Sequence, residues 1–270
     1  MSPSPDDTPE GSGSPAARSL ETSALLSRLG DEVALYDLEV IDNRSLTPST
    51  RRLRCTAPGL RTLSYFAGQD FMFAVDADGE SFRRRYTIRH VDHSKAALEI
   101  DVVLHGGGPG AKWASSAQPG DHIEAIGPRG KVGIKSEADW HLFAGDDSAV
   151  PATLAMAESL PSADAAVIIL EVSAPEDRQA TTALDGAPLS IEWLLRGDVD
   201  PASSTRLVAA LEGVDFPEGR GHAYLAGELG VVGAMRRALI ARGLEPDQIS
   251  AKPYWRRGVA NASHGEPPKS

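Results

Sequence analysis

The chain has 270 residues, 41% hydrophobic and 24% charged, enough for one large globular domain or two modest ones. Its formal net charge of -11 argues against a general binder of nucleic acid or anionic membranes, so any anionic ligand must meet a local basic patch. The single cysteine, Cys55, can neither close an internal disulfide nor hold an iron–sulfur cluster, which takes four ligands.

In chain order, residues 1–24 are acidic and rich in Pro, Gly and Ser, with no apolar stretch of signal-peptide type; a disordered tail is expected there. No apolar run approaches the roughly 20 residues needed to span a bilayer. A cytoplasmic protein able to act as a monomer is the expectation.

From 25 to 136 the rhythm is that of strands. Leu98, Ile100, Val102 and Leu104 alternate with Glu99 and Asp101, the period of a half-buried strand. Further strands are expected at 34–42, 51–56, 70–75, 83–90 and 122–126, with Gly and Pro turns at 57–59, 67–70, 118–121 and 127–130. Short strands separated by turns predict an antiparallel β-barrel or sandwich.

From 137 to 258 strands alternate with helices. Strands are expected at 140–145, 165–172, 189–195, 222–228 and 249–255, and helices at 149–160, 202–212 and 230–242. That alternation predicts an α/β domain with a doubly wound parallel sheet. Residues 259–270 read as a second, flexible tail.

Several short segments carry chemistry. In a strand, Arg84, Tyr86 and Ile88 point one way and Arg85, Thr87 and Arg89 the other. A flavin dinucleotide needs a cation for its pyrophosphate, an aromatic surface for its ring and a short hydroxyl near the ring's polar edge. Arg84, Tyr86 and Thr87 supply all three, although the same run would also serve as a basic strand on a solvated face. After the next strand comes His105-Gly106-Gly107-Gly108-Pro109-Gly110-Ala111-Lys112-Trp113-Ala114, a Gly-rich turn whose backbone N–H groups can cradle phosphate. It reads equally as a plain strand-to-helix turn with Trp113 in the core.

The later segments are Gly127-Pro128-Arg129-Gly130, then Gly145-Asp146-Asp147-Ser148-Ala149-Val150-Pro151-Ala152. They are followed by Ala226-Gly227-Glu228 and Tyr254-Trp255-Arg256-Arg257-Gly258. Two carboxylates would repel a pyrophosphate, so Asp146 and Asp147 are expected to cap the helix and orient the turn.

In this order the segments resemble the siderophore-interacting protein family of FAD-binding ferric-siderophore reductases, within the ferredoxin-reductase-like superfamily. They match its R-x-Y-T-x-R, H-G-x-G-P-x-x-x-W-A, G-P-R-G, G-D-E-T-A-L-P-A, A-G-E and Y-W-R-x-G patterns, with Asp147, Ser148 and Val150 as conservative departures. The resemblance implies an FAD-binding β-barrel domain at 25–136 and an NAD(P)H-binding α/β domain at 137–258. It implies FAD contacts at Arg84, Tyr86, Thr87, Arg89, His105, Gly106, Gly108, Pro109, Trp113, Tyr254 and Trp255. For NAD(P)H it implies Gly145, Asp146, Asp147, Ser148, Ala149, Gly227 and Glu228. Arg129, Lys131, Lys252 and Arg256 would attract an anionic ferric siderophore.

Glu171, near the end of the second parallel strand, would suit a ribose 2′-hydroxyl and NADH, whereas Arg178 would suit a 2′-phosphate and NADPH. Two other readings stay open: a general NAD(P)H:flavin or quinone oxidoreductase, and a non-enzymatic siderophore or flavin carrier.

Overall fold

The protein is described from a computed structural model covering residues 33–77, 79–104 and 107–259. The tail expected at 1–24, all but the first residue of that at 259–270, and His105 and Gly106 lie outside the described residues.

The first half builds a barrel from β1 (Ala34–Thr47), β2 (Thr50–Thr56), β3 (Asp70–Ala77), β4 (Glu80–Asp92), β5 (Ala97–Val103) and β6 (His122–Arg129). The order β1-β2-β5-β4-β3-β6 closes on itself through antiparallel pairing of β1 with β6. Closure leaves no free edge, and alternate side chains such as Leu53, Phe71, Phe73, Ile88 and Ile100 fill the interior. Helix α1 (Pro109–Ser116) lies between β5 and β6, and Ala114 and Trp113 pack on that core.

The second half alternates strands and helices. Strands β7 (Trp140–Gly145), β8 (Ala166–Val172), β9 (Ile191–Leu195), β10 (Gly221–Glu228) and β11 (Ile249–Trp255) form a sheet in the order β11-β10-β7-β8-β9. All pairings are parallel. Helix α2 (Val150–Glu158) packs Val150, Leu154 and Met156 on one face with Phe143 and Leu170. Helices α3 (Arg206–Gly213) and α4 (Leu229–Ala241) cover the other with Leu207, Leu211, Met235 and Leu239. Cover on both faces is why every residue of β7 is buried, all of them apolar or small except His141.

A barrel followed by a doubly wound sheet is the expected ferredoxin-reductase-like arrangement. Strand order reverses between β7 and β10, so their carboxyl ends open the crevice where such sheets take ligands. One sequence-based detail differs. Asp101 is on the polar side of the β5 alternation, yet it is only 2% exposed. The second half of the chain covers that side: Arg89 bonds both Asp101 and, on α2, Glu158.

Candidate functional site

Three groups of side chains make up the candidate site, the first within the barrel and the other two toward the sheet. The first lies on β4 and α1. The Tyr86 ring stacks on Trp113 with centroids 6.0 Å apart, and Phe73 packs 5.5 Å from Tyr86. Gly108 precedes α1 as its N-cap and Pro109 opens it. Gly110 touches Tyr86 so closely that a Cβ there would fall 2.1 Å from the phenol oxygen and 3.4 Å from Arg84 Cγ. The start of a helix, a half-buried guanidinium and an aromatic pair thus meet at one point, with burial holding the Arg84 pKa below its usual value.

The second group centres on Asp70 at the start of β3. Strand register sets Asp70 opposite Thr87 on β4 and opposite Arg129 on β6. Its buried carboxylate takes a two-pronged bond from Arg85, at 3.0 Å from Nε and 2.7 Å from Nη2. Lys252 of β11 adds a third donor at 3.2 Å. Tyr254, two residues on, sits beside the Thr87 side chain, and burial pushes its phenol pKa up. Arg129 sits with Nη1 2.8 Å from Met72 Sδ.

The third group centres on Asp146, just past β7. Its Oδ1 accepts from the backbone N–H and the hydroxyl of Ser148, at 2.9 and 2.5 Å. Its Oδ2 accepts from Glu228 N–H at 2.9 Å and from the Trp255 indole at 3.0 Å. Glu228 in turn caps α4, accepting from the N–H groups of Gly230 and Val231. Gly145, Ser148, Ala149, Gly227 and Glu228 therefore gather at the reversal of strand order. Of the two aspartates expected to cap, Asp146 caps the 3-10 turn Asp147–Ala149, whereas Asp147 is drawn away to pair with Arg196 at 2.7 Å.

Not every residue singled out by the motifs faces this junction in the way expected. Arg89 is turned away from the Tyr86–Trp113 pair: its guanidinium bonds Asp101 at 3.1 Å, Glu158 at 2.8 Å and the Pro151 carbonyl at 3.4 Å. Opposite faces of one strand cause the split. The Trp255 indole N–H is tied to Asp146. Glu171 is fully buried rather than open to a ribose, because Arg196 and Ser204 engage both its oxygens. Lys131, Arg178 and Arg256 are exposed. Sequence reasoning missed Asp70, Arg85 and Arg196; only strand register and long-range pairing reveal them.

The residues present fit an FAD. Where Arg84 and Tyr86 meet the start of α1, a cation and helix N–H groups stand together as a pyrophosphate requires, and Thr87 offers a hydroxyl beside Tyr254.

Comparison with known proteins agrees. The family described as siderophore-interacting protein matches residues 138–258, and the siderophore-interacting FAD-binding domain matches residues 67–132. Ferric vibriobactin reductase ViuB of Vibrio cholerae is 38% identical over 192 residues, 68% of each chain. The NADPH-dependent ferric-chelate reductase of Escherichia coli is 30% identical over 170 residues, 61% of this chain and 63% of that protein. A siderophore utilization protein from T. fusca superposes with a TM-score of 0.76 at 33% identity, covering 87% of this chain and 97% of the other.

Proposed function

The chain belongs to the siderophore-interacting protein family, and from that premise we propose that it is a cytoplasmic reductase that carries electrons from NAD(P)H through FAD to a ferric siderophore. It is an FAD-containing oxidoreductase. The observation that carries the finer reading is the convergence, across strand register, of Thr87, Asp70, Arg129, Lys252 and Tyr254 between the two halves. A flavin when bound accepts an electron pair as hydride from nicotinamide and delivers single electrons, which ferric iron requires.

The chain's own residues divide the remaining work. Arg84 and the N–H groups opening α1 would hold the pyrophosphate, with Gly108 and Pro109 shaping the approach. Tyr86 and Trp113 would give an aromatic wall, and Thr87 would orient the polar edge of the ring. Tyr254 would lie over the ring, beside Thr87. At the other domain, the turn 145–149 and the end of β10, held in place by Asp146 through the N–H groups of Ser148 and Glu228, would border the nicotinamide dinucleotide.

Against a net charge of -11, the cationic rim of Arg129, Lys131, Lys252 and Arg256 supplies the attraction an anionic iron chelate needs. Siderophores are hard oxygen chelators matched to ferric iron, so one-electron reduction weakens the complex and frees the metal.

The test is spectroscopic. The purified protein should show a flavin spectrum that bleaches when NADPH or NADH is added without oxygen. A ferric siderophore supplied with a ferrous trap should then restore the spectrum as trapped iron appears. A protein that takes up no FAD, or whose bound FAD neither nicotinamide bleaches, would end this reading.

A further inference from the structure

At the crevice end of β8 and β9 sits a buried ion cluster without a part in the electron path above. Glu171, the next-to-last residue of β8, is 0% exposed. Its Oε1 accepts from Arg196 Nη1 at 3.3 Å and its Oε2 from the Ser204 hydroxyl. Asp147 accepts from Arg196 Nη2 at 2.7 Å and from Ser173 N–H at 3.2 Å. All four carboxylate oxygens are thus committed inside the chain. Arg196, one residue past β9, is 6% exposed and also donates to Ser173 Oγ at 2.8 Å. Its Nε has no hydrogen-bond partner among the described residues.

In doubly wound dinucleotide folds, an acidic side chain past the second strand accepts the ribose 2′-hydroxyl and repels a 2′-phosphate. Strand order gives that place to Glu171, since β8 follows β7 in the sheet. Here the carboxylate can do neither, being buried and doubly bonded. We propose that Arg196 sets the nucleotide preference of this protein. By holding Glu171 and Asp147 it withdraws two negative charges from the ribose end of the crevice. What remains there is the exposed Arg178, and a guanidinium suits a 2′-phosphate. Arg196 is a positioning residue that acts through Glu171. The inference rests on the NAD(P)H reading and deepens it: NADPH is the preferred donor.

Binding of two fragments that cannot transfer hydride tests the idea on the FAD-loaded protein. Wild type should bind 2′,5′-ADP at least about tenfold more tightly than 5′-AMP. Arg196→Gln should shrink that ratio about tenfold, and Arg196→Gln with Glu171→Gln should restore part of it, because the side chain freed at position 171 is then neutral while Asp147 keeps its charge. Glu171→Gln alone should move the ratio little.

Should Arg196→Gln not fold, the wild-type ratio and the Glu171→Gln single variant still decide. Equal or tighter binding of 5′-AMP to wild type would overturn the proposal. So would a tenfold gain for 2′,5′-ADP from Glu171→Gln alone, which would mean that the carboxylate already faces the nucleotide. Failure of both nicotinamides to bleach bound FAD would remove the reductase reading and this inference with it. Bleaching by either with an unmoved fragment ratio would remove the inference alone.

Discussion

Asp146 ties three strand ends together through one carboxylate. Burial pushes its pKa up, while the donors from Ser148, Glu228 and Trp255 oppose that shift by satisfying the charge. The arrangement leaves no room at Gly227, which lies directly against it with φ at +128°. A Cβ there would sit 2.6 Å from Asp146 Oδ2 and 2.7 Å from its Cγ, and the backbone angle is strained for any other residue. Gly227→Ala is therefore expected to cost about 1–3 kcal/mol of stability. It should also raise the KM for the nicotinamide donor about tenfold by displacing the turn at 146–149. FAD content should hold, because the barrel residues that would bind it are untouched. Thermal denaturation, flavin absorbance and steady-state kinetics on one preparation check all three, and unchanged nicotinamide kinetics would refute the placement of Gly227.

Among the elements, β7 and β10 present a pair of buried histidines that the chemistry does not use. His141 and His222 are paired in register on these adjacent strands. His222 Nε2 lies 2.9 Å from Ser250 Oγ, and the Tyr224 ring packs at a tilt 4.8 Å away. Burial first, then the positive charge of Lys135 and the neighbouring His141, pull the His222 pKa down to about 4, with Glu137 opposing and Arg220 assisting. Burial lowers His141 as well.

The sign follows directly. Between about pH 6.5 and about 4 the unfolded chain binds a proton at His222 that the folded chain refuses. The stability contributed by the neutral ring is complete above that window and is lost as pH falls through it. Denaturant midpoints measured across this range should decline toward acid, and His222→Asn should flatten the decline. An equal slope in that variant would place the acid sensitivity elsewhere.

The positions of these elements were legible from periodicity. A strand expected at 98–104 is β5 at Ala97–Val103, and a helix expected at 230–242 is α4 at Leu229–Ala241. Alternation and the 3.6-residue repeat are local, so a single sequence carries them. The meaning of the polar positions was not legible. Asp101 reads as solvent-facing until Arg52 and Arg89 are seen to bury it. Asp70 and Lys252 are 182 residues apart in the chain, and no local period encodes their contact. The motif residues Thr87 and Tyr254 were identifiable singly, but their meeting depends on how the two halves dock.

That docking belongs to the whole molecule, and polar clamps reinforce it at separate points. Asp177, after β8, accepts from the Thr47 hydroxyl at 3.0 Å and from the Ser49 hydroxyl at 2.6 Å on the barrel's first hairpin. Lys252 reaches Asp70 from the sheet side. Arg89 crosses from β4 to Glu158 and to the Pro151 carbonyl on α2. With its side chain 7% exposed and three acceptors met, Arg89 is a bridge between halves.

Its role is thus separable from that of Arg84 only five residues earlier on the same strand. Arg84→Ala should strip FAD from the protein, since it removes the cation beside the start of α1, while leaving the fold cooperative. Arg89→Ala should keep FAD bound but lower stability by about 2–4 kcal/mol, because Asp101 and Glu158 lose a buried partner. Flavin reduction by nicotinamide should also slow, as the two halves no longer hold one register. Flavin retention on a desalting column, a melting curve and anaerobic rapid mixing distinguish the two variants. Loss of FAD from Arg89→Ala comparable to that from Arg84→Ala would return Arg89 to the cofactor and overturn its assignment as a clamp.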